Sequence, residues 1–148
     1  MTLDELISPI QGRLGVLERS GDQRVRIDSL TDDSRRVESG SLFVAVQGER
    51  VDGHEFLDRV VAAGAAAVVM GRHVEVGATP FIRVQDSRAA LGILGSRFYG
   101  DPSAALRMIG VTGTNGKTTT TYVVKTMLEA VKRQVGLIGT VAYLVGNE

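Results

Sequence analysis

Gly110-Val111-Thr112-Gly113-Thr114-Asn115-Gly116-Lys117-Thr118-Thr119-Thr120-Thr121 is the stretch that decides the reading of this chain. Its core, Gly113 to Thr118, has the pattern G-T-x-G-K-T. Before it, Met108–Val111 is apolar and reads as a strand. After it, a helix is expected from Lys117 to about Val131, with Val124, Met127, Leu128 and Val131 as its buried stripe. A glycine loop between a strand and a helix is the setting in which a backbone binds phosphate. Gly113 and Gly116 let the chain curl so that N–H groups face phosphate oxygens. The helix start adds unpaired N–H donors and the positive end of its dipole. Lys117 offers a flexible point charge to β- and γ-phosphates, and the Thr118 hydroxyl a ligand for Mg²⁺.

The candidate nucleotide-binding residues are therefore Gly113, Thr114, Asn115, Gly116, Lys117, Thr118 and Thr119. Lys117 is the candidate catalytic group and Thr118 the candidate metal ligand. Thr119 can donate to an α- or β-phosphate, whereas Thr120 and Thr121 read as capping and packing. The longer pattern G-x-x-x-x-G-K-[ST] is not met, because Val111 stands five residues before Gly116. The competing reading is a glycine-rich turn with a surface lysine, and the flanking strand and helix weigh against it.

Outward from the loop, composition narrows the classes. The chain has 148 residues, 43% of them hydrophobic, enough for one domain or a small domain and part of another. Lys plus Arg and Asp plus Glu number 17 each. That balance argues against a protein that coats nucleic acid or binds a membrane surface. There is no cysteine, so disulfide scaffolds, thiolate zinc sites and cysteine nucleophiles are excluded, in keeping with a cytoplasmic protein. The N-terminus MTLDELISPIQGRL is not a signal peptide, and the apolar stretch Val60–Met70 is too short to span a bilayer.

Leu3, Leu6, Ile7 and Ile10 predict a helix over residues 2–10. Gly15–Leu17 and Val25–Ile27 are β-prone, and Leu42–Val46, Ala67–Met70 and Phe81–Val84 read as buried strands. Asp52 and Glu55 resemble a capping box ahead of a helix carrying Phe56, Leu57, Val60 and Val61, with Gly64 after its end. Ser87 is the expected cap of a helix carrying Leu91, Leu94 and Phe98, which Gly100 and Pro102 stop. Gly100–Ser103 is the expected boundary, giving an N-terminal α/β domain over 1–103 and the first βαβ unit of a P-loop domain over 104–148, with Val135–Ile138 as its second strand.

The stretch Met108–Thr121 resembles the ATP motif of the Mur ligases, which folylpolyglutamate synthases share. Asp33-Ser34-Arg35-Arg36-Val37-Glu38-Ser39-Gly40-Ser41-Leu42-Phe43-Val44-Ala45 is similar to the N-terminal motif of the Mur ligases that add the third and the last stem-peptide residues. So is Gly48-x-x-x-Asp52-Gly53-His54-x-Phe56. Arg97-Phe98-Tyr99-Gly100-Asp101-Pro102 and Gly136-Leu137-Ile138-Gly139-Thr140 resemble the third-residue branch in particular. The resemblance covers most of residues 30–148.

It implies an ATP-dependent amide ligase in peptidoglycan synthesis. ATP phosphorylates the terminal carboxylate of UDP-MurNAc-L-Ala-D-Glu, and the amine of the third amino acid attacks the acyl phosphate. The first domain of such enzymes binds the uridine diphosphate end, the second is the ATPase, and the third holds the incoming amino acid. The resemblance gives Ser34 a contact with the UDP-sugar and places Asp32 beside it, where relatives usually carry an apolar residue. It also places Glu49, Arg50 and Val51 on the nucleotide through their backbone.

Taken alone, these residues have other readings. Ser34 can close a turn after two aspartates. Arg35 can bind a diphosphate or pair with Asp32 or Asp33, the pairing being the commoner fate. His54 reads as part of a turn and cap, and His73 has no ligand-spaced partner. A P-loop enzyme also needs an acid near its metal. Only Glu129 and Glu148 follow Lys117, and Glu129 lies about 18 Å along the helix. The expectation is therefore the front part of a larger ligase, inactive by itself. Two alternatives stand beside it: the ligase that adds D-Ala-D-Ala, and a nucleotide-binding module without catalysis.

Overall fold

β3 (Ser41–Ala45) is buried at all five positions. Strand alternation sends Leu42 and Val44 to one face of the sheet and Phe43 and Ala45 to the other. β4 (Ala67–Met70) repeats this, with Ala67 and Val69 opposed to Val68 and Met70. Strands buried at every position belong in a parallel sheet covered on both sides. The five-stranded sheet has the order β1 (Val16–Ser20), β5 (Phe81–Val84), β4, β3, β2 (Ser29–Thr31). β2 to β5 are parallel, and β1 joins β5 antiparallel at one edge. α1 (Leu3–Ile7), α2 (Gln11–Leu14) and α4 (Ser87–Phe98) cover one face through Leu3, Leu6, Leu14, Ala90 and Leu94. α3 (Leu57–Ala62) covers the other through Leu57 and Val60.

This computed structural model describes residues 1–146. The chain divides into two compact units, Met1–Leu106 and Arg107–Glu148. The first is the mixed α/β unit above. In the second, α5 (Lys117–Ala130) is followed by a two-stranded antiparallel pair, β6 (Gly136–Ile138) and β7 (Tyr143–Val145).

Several local expectations give way to specific contacts. The helix expected over 2–10 breaks after Ile7 into a 3₁₀ turn over Ser8–Ile10. Pro9 has no N–H to return to Glu5, so the α-helical ladder cannot continue. Val25–Ile27 forms no strand. Its backbone instead ties down the N-terminus, with Leu3 donating to Val25 (2.9 Å) and Ile27 to Met1 (2.8 Å). The cap of α4 is Asp86, which accepts from Arg88 and Ala89, while Ser87 is buried at the first helical position. Asp52 accepts from the His54 N–H and opens a 3₁₀ turn, not a capping box with Glu55. Met108–Val111 makes no ladder bond. A parallel strand needs a neighbour, and β6 is paired with β7. No α5 residue is buried: Met127 and Val131 are exposed, and Val124 and Leu128 half-buried.

Candidate functional site

Because β2 to β5 are parallel, the segments that leave them share one edge of the sheet. These are residues 32–36 after β2, 46–53 after β3, 71–72 after β4 and 85–88 after β5. The carboxyl edge of an open parallel sheet is where such folds bind ligands. Asp32 and Ser34 lie on the first segment and Glu49, Arg50 and Val51 on the second. β2 and β3 are neighbours, so the fold brings the two groups to adjacent loops.

Asp33 builds the first loop. Its N–H donates to Thr31 Oγ1 (3.1 Å), and its carbonyl accepts from the Arg36 N–H (3.0 Å). Its Oδ1 accepts from Arg35 N (3.0 Å) and Nε (2.9 Å), and its Oδ2 from Nη2 (2.8 Å). The Arg35 guanidinium, then the Arg35 N–H, hold the Asp33 carboxyl well below the usual carboxylate range. Asp33 therefore closes the turn and takes Arg35 as its ion-pair partner. Among the described residues the Ser34 hydroxyl has no hydrogen-bond partner, and Ser34 is half-buried. Asp32 is exposed.

The second loop is a tight hairpin. Gly48 donates to Val51 O (2.9 Å), Gly53 to Val46 O (2.9 Å), and Gln47 bridges Asp52. A Cβ on Gly48 would sit 2.8 Å from Val51 O, and one on Gly53 the same distance from Val46 N and O. Only glycine fits at either place. The hairpin holds Glu49, Arg50 and Val51 out to solvent at its tip.

Its base is fixed by Asp52 and His54. His54 is buried. Its Nε2 accepts from the N–H of Gly71 (2.9 Å) and, at longer range, of Arg72 (3.4 Å). A ring nitrogen that accepts carries no proton, so Nδ1 bears it and donates to Asp52 Oδ1 (2.6 Å). Asp52 Oδ1 also accepts from the His54 N–H (3.0 Å), and Oδ2 from Arg72 Nη2 (3.1 Å). The His54 N–H, then the imidazole and Arg72, lower the Asp52 carboxyl to about 2 against the opposing effect of burial. Beside the hairpin lies an open cleft of about 790 Å³, walled by Gln47, Glu49, Arg72, Gln85 and Arg88. Arg88 Nη2 donates to Gln47 O (2.9 Å). No sequence motif marks Gln47, Arg72, Gln85 or Arg88. Their one signal is their place directly after apolar strands.

In the second unit, Gly113 (φ 141°) and Gly116 (φ 75°) take backbone angles closed to most side chains. Gly116 is the N-cap of α5. Among the described residues the N–H groups of residues 113–119 donate to no acceptor, and the first helical bond is Thr120 N–H to Gly116 O (2.9 Å). Lys117 Nζ folds back to Gly113 O (2.6 Å) and Thr114 O (3.2 Å). Thr121 Oγ1 donates to Thr118 O (2.8 Å), whereas the Thr118 hydroxyl makes no hydrogen bond among the described residues. Backbone N–H donors, an ammonium held only by neutral carbonyls and a hydroxyl suit phosphate oxygens and a hard cation. Among the described residues no group of three or more acids or histidines is placed to hold a metal. Glu129 pairs with Lys125, and Glu148 lies outside the described residues.

The parallel sheet with loops at its carboxyl edge in the first unit, and the glycine loop at a helix start in the second, are features of α/β folds. The relatives make this narrower. A model of the Mur ligase family catalytic domain matches residues 26–99, half of the chain, and one of the Mur ligase middle domain matches 111–147. The chain belongs to the Mur ligase family. It is 43% identical over 148 residues to the UDP-N-acetylmuramoyl-L-alanyl-D-glutamate–2,6-diaminopimelate ligase of Alkaliphilus metalliredigens, covering 99% of this chain and 29% of that one. The chain thus spans under a third of that relative's length. A solved structure of a ligase of that name superposes with a TM-score of 0.76 at 24% identity, covering 100% of this chain and 29% of the other, a likeness of fold. The MurF ligase of Thermotoga maritima in complex with ADP superposes with a TM-score of 0.54 at 31% identity, covering 74% and 24%. No helix among the described residues is long and apolar enough to cross a membrane.

Proposed function

We propose that this chain supplies the UDP-binding domain and the phosphate loop of a cytoplasmic, ATP-dependent ligase that adds diaminopimelate to UDP-MurNAc-L-Ala-D-Glu. The observation that carries this reading is the 43% identity to a ligase of that name across the whole chain, phosphate loop included. Others of the same name align at 38% over 148 residues and 50% over 121. That weighs against the D-Ala-D-Ala-adding alternative, and the name favours diaminopimelate over lysine.

In this reading the uridine diphosphate end lies at the carboxyl edge of the first unit. Ser34 meets it with a free hydroxyl, and Glu49, Arg50 and Val51 with the backbone of a rigid hairpin, beside Asp32. The N–H groups of residues 113–119 cradle the ATP phosphates. Lys117 leaves its two carbonyl partners and follows the γ-phosphoryl group as it moves to the D-Glu carboxylate. The acyl phosphate so formed is attacked by the amine of the incoming amino acid, which forms the amide and releases phosphate. Thr118 would hold Mg²⁺, which neutralises phosphate charge when bound. The chain's own part is positioning and charge stabilisation.

The test is a chimera in which these 148 residues replace the matching stretch of the Alkaliphilus relative. It is expected to form phosphate and product from ATP, diaminopimelate and UDP-MurNAc-L-Ala-D-Glu. A folded chimera that is inert with the dipeptide substrate, or that accepts only the tripeptide and D-Ala-D-Ala, would overturn the proposal.

A further inference from the structure

We infer that His54 is a positioning residue for the substrate: a neutral imidazole that pins the Glu49–Val51 hairpin to the end of β4 and so sets affinity for the UDP end without touching it. The inference rests on the reading that this hairpin meets the UDP end.

The geometry is particular. The hairpin leaves β3 at Val46 and returns at Asp52, so its own hydrogen bonds fix its shape but not its direction. Direction comes from outside. His54 follows the hairpin by two residues, and its side chain is buried. Its Nε2 receives the Gly71 N–H at 2.9 Å, the first N–H beyond β4. Its Nδ1 sits 2.6 Å from the Asp52 carboxylate at the hairpin's base. The ring therefore spans two loops of the carboxyl edge, one end on the hairpin and the other on the strand beside it. The Gly71 N–H is half-buried and would lose its acceptor, so turning the ring away carries a cost. Two further ties, Arg72 Nη2 to Asp52 Oδ2 at 3.1 Å and Arg88 Nη2 to Gln47 O at 2.9 Å, are solvent-exposed and correspondingly weak. A hairpin that contacts ligand through its backbone needs a fixed direction, because displacement moves all its donors and acceptors together.

The imidazole meets three requirements at once: an acceptor toward Gly71, a donor toward Asp52, and a flat ring that fills the buried space. Glutamine can keep the acceptor at a similar reach. Alanine keeps nothing.

Calorimetric titration of the 148-residue chain with UDP-MurNAc-L-Ala-D-Glu tests this, using wild type, Ser34→Ala, His54→Ala and His54→Gln, with the Tm of each. Wild type and Ser34→Ala report on the substrate site itself. If wild type does not bind, the underlying reading fails, whatever the histidine does. If wild type binds, His54→Ala is expected to weaken binding about tenfold or more, and His54→Gln to restore most of it. The ¹⁵N signals of the His54 ring in wild type are expected to show Nδ1 protonated and Nε2 not. A histidine that only stabilises the fold would lower Tm in both variants while the folded protein bound as wild type does. That result overturns the inference, as does a ring protonated at Nε2. Should His54→Ala not fold, wild-type affinity in His54→Gln with displaced hairpin amide signals would overturn it equally.

Discussion

Lys117 holds two carbonyls of its own loop, at 2.6 and 3.2 Å, and its charge is not neutralised by any acid within the described residues. Two neutral carbonyls solvate the ammonium without neutralising it, so its charge is available to a phosphoryl group. Lys117→Ala in the chimera is expected to lower kcat by about 10²-fold, on the order of 3 kcal/mol. Steady-state kinetics decide this, and a rate within a few-fold of wild type would make Lys117 a surface residue. Asp52 gives the clearest pH dependence. Its carboxyl is lowered to about 2 from an ordinary 3.8, so folding favours the ionised form. The resulting stability is complete above about pH 4, falls away as pH drops toward 2, and is absent below. Asp52→Asn is expected to flatten that part of the urea-midpoint-against-pH curve, and an unchanged slope would contradict the account. Gly53→Ala should destabilise the first unit by about 2 kcal/mol or more, since its Cβ meets Val46 N and O at 2.8 Å. The loop residues Gly113 to Thr119 were legible as a pattern because glycine angles and a lysine leave a fixed spacing in sequence. His54 was not legible as a spacer, because its value lies in a contact with Gly71, seventeen residues away.

At the scale of elements, β3, β4 and β5 were legible to within a residue because burial on both faces forces a continuous apolar run. β1 and β2 were not, since they are half-exposed edge strands whose pattern is weak. The strand expected at Met108–Val111 is apolar like the others and yet unpaired: composition proposes a strand, but only a neighbouring ladder makes one. α1 opens on a capping box. Thr2 Oγ1 accepts from the Glu5 N–H (3.2 Å) and Glu5 Oε2 from the Thr2 N–H (2.8 Å), which fixes the start of α1. Thr2→Ala is expected to cost about 1 kcal/mol in a urea melt, and no loss would mean that the tie from Met1 to Ile27 carries the N-terminus alone.

At the scale of the molecule, the two units differ in how they are held. The first has two apolar clusters, one on each face of its sheet. In the second, Leu137 is the one buried hydrophobic among the described residues. The proposed sites divide in the same way: a hairpin and turn on the well-packed unit, and the glycine loop on the other. In the proposed function, the carboxyl edge of the first unit receives the UDP end of a muropeptide precursor. Amide ¹H–¹⁵N spectra of the chain titrated with UDP-MurNAc-L-Ala-D-Glu measure this most directly. The account expects the largest shifts at residues 32–34 and 47–54, saturating together with one affinity. Shifts clustered elsewhere, or none at millimolar ligand, would contradict it.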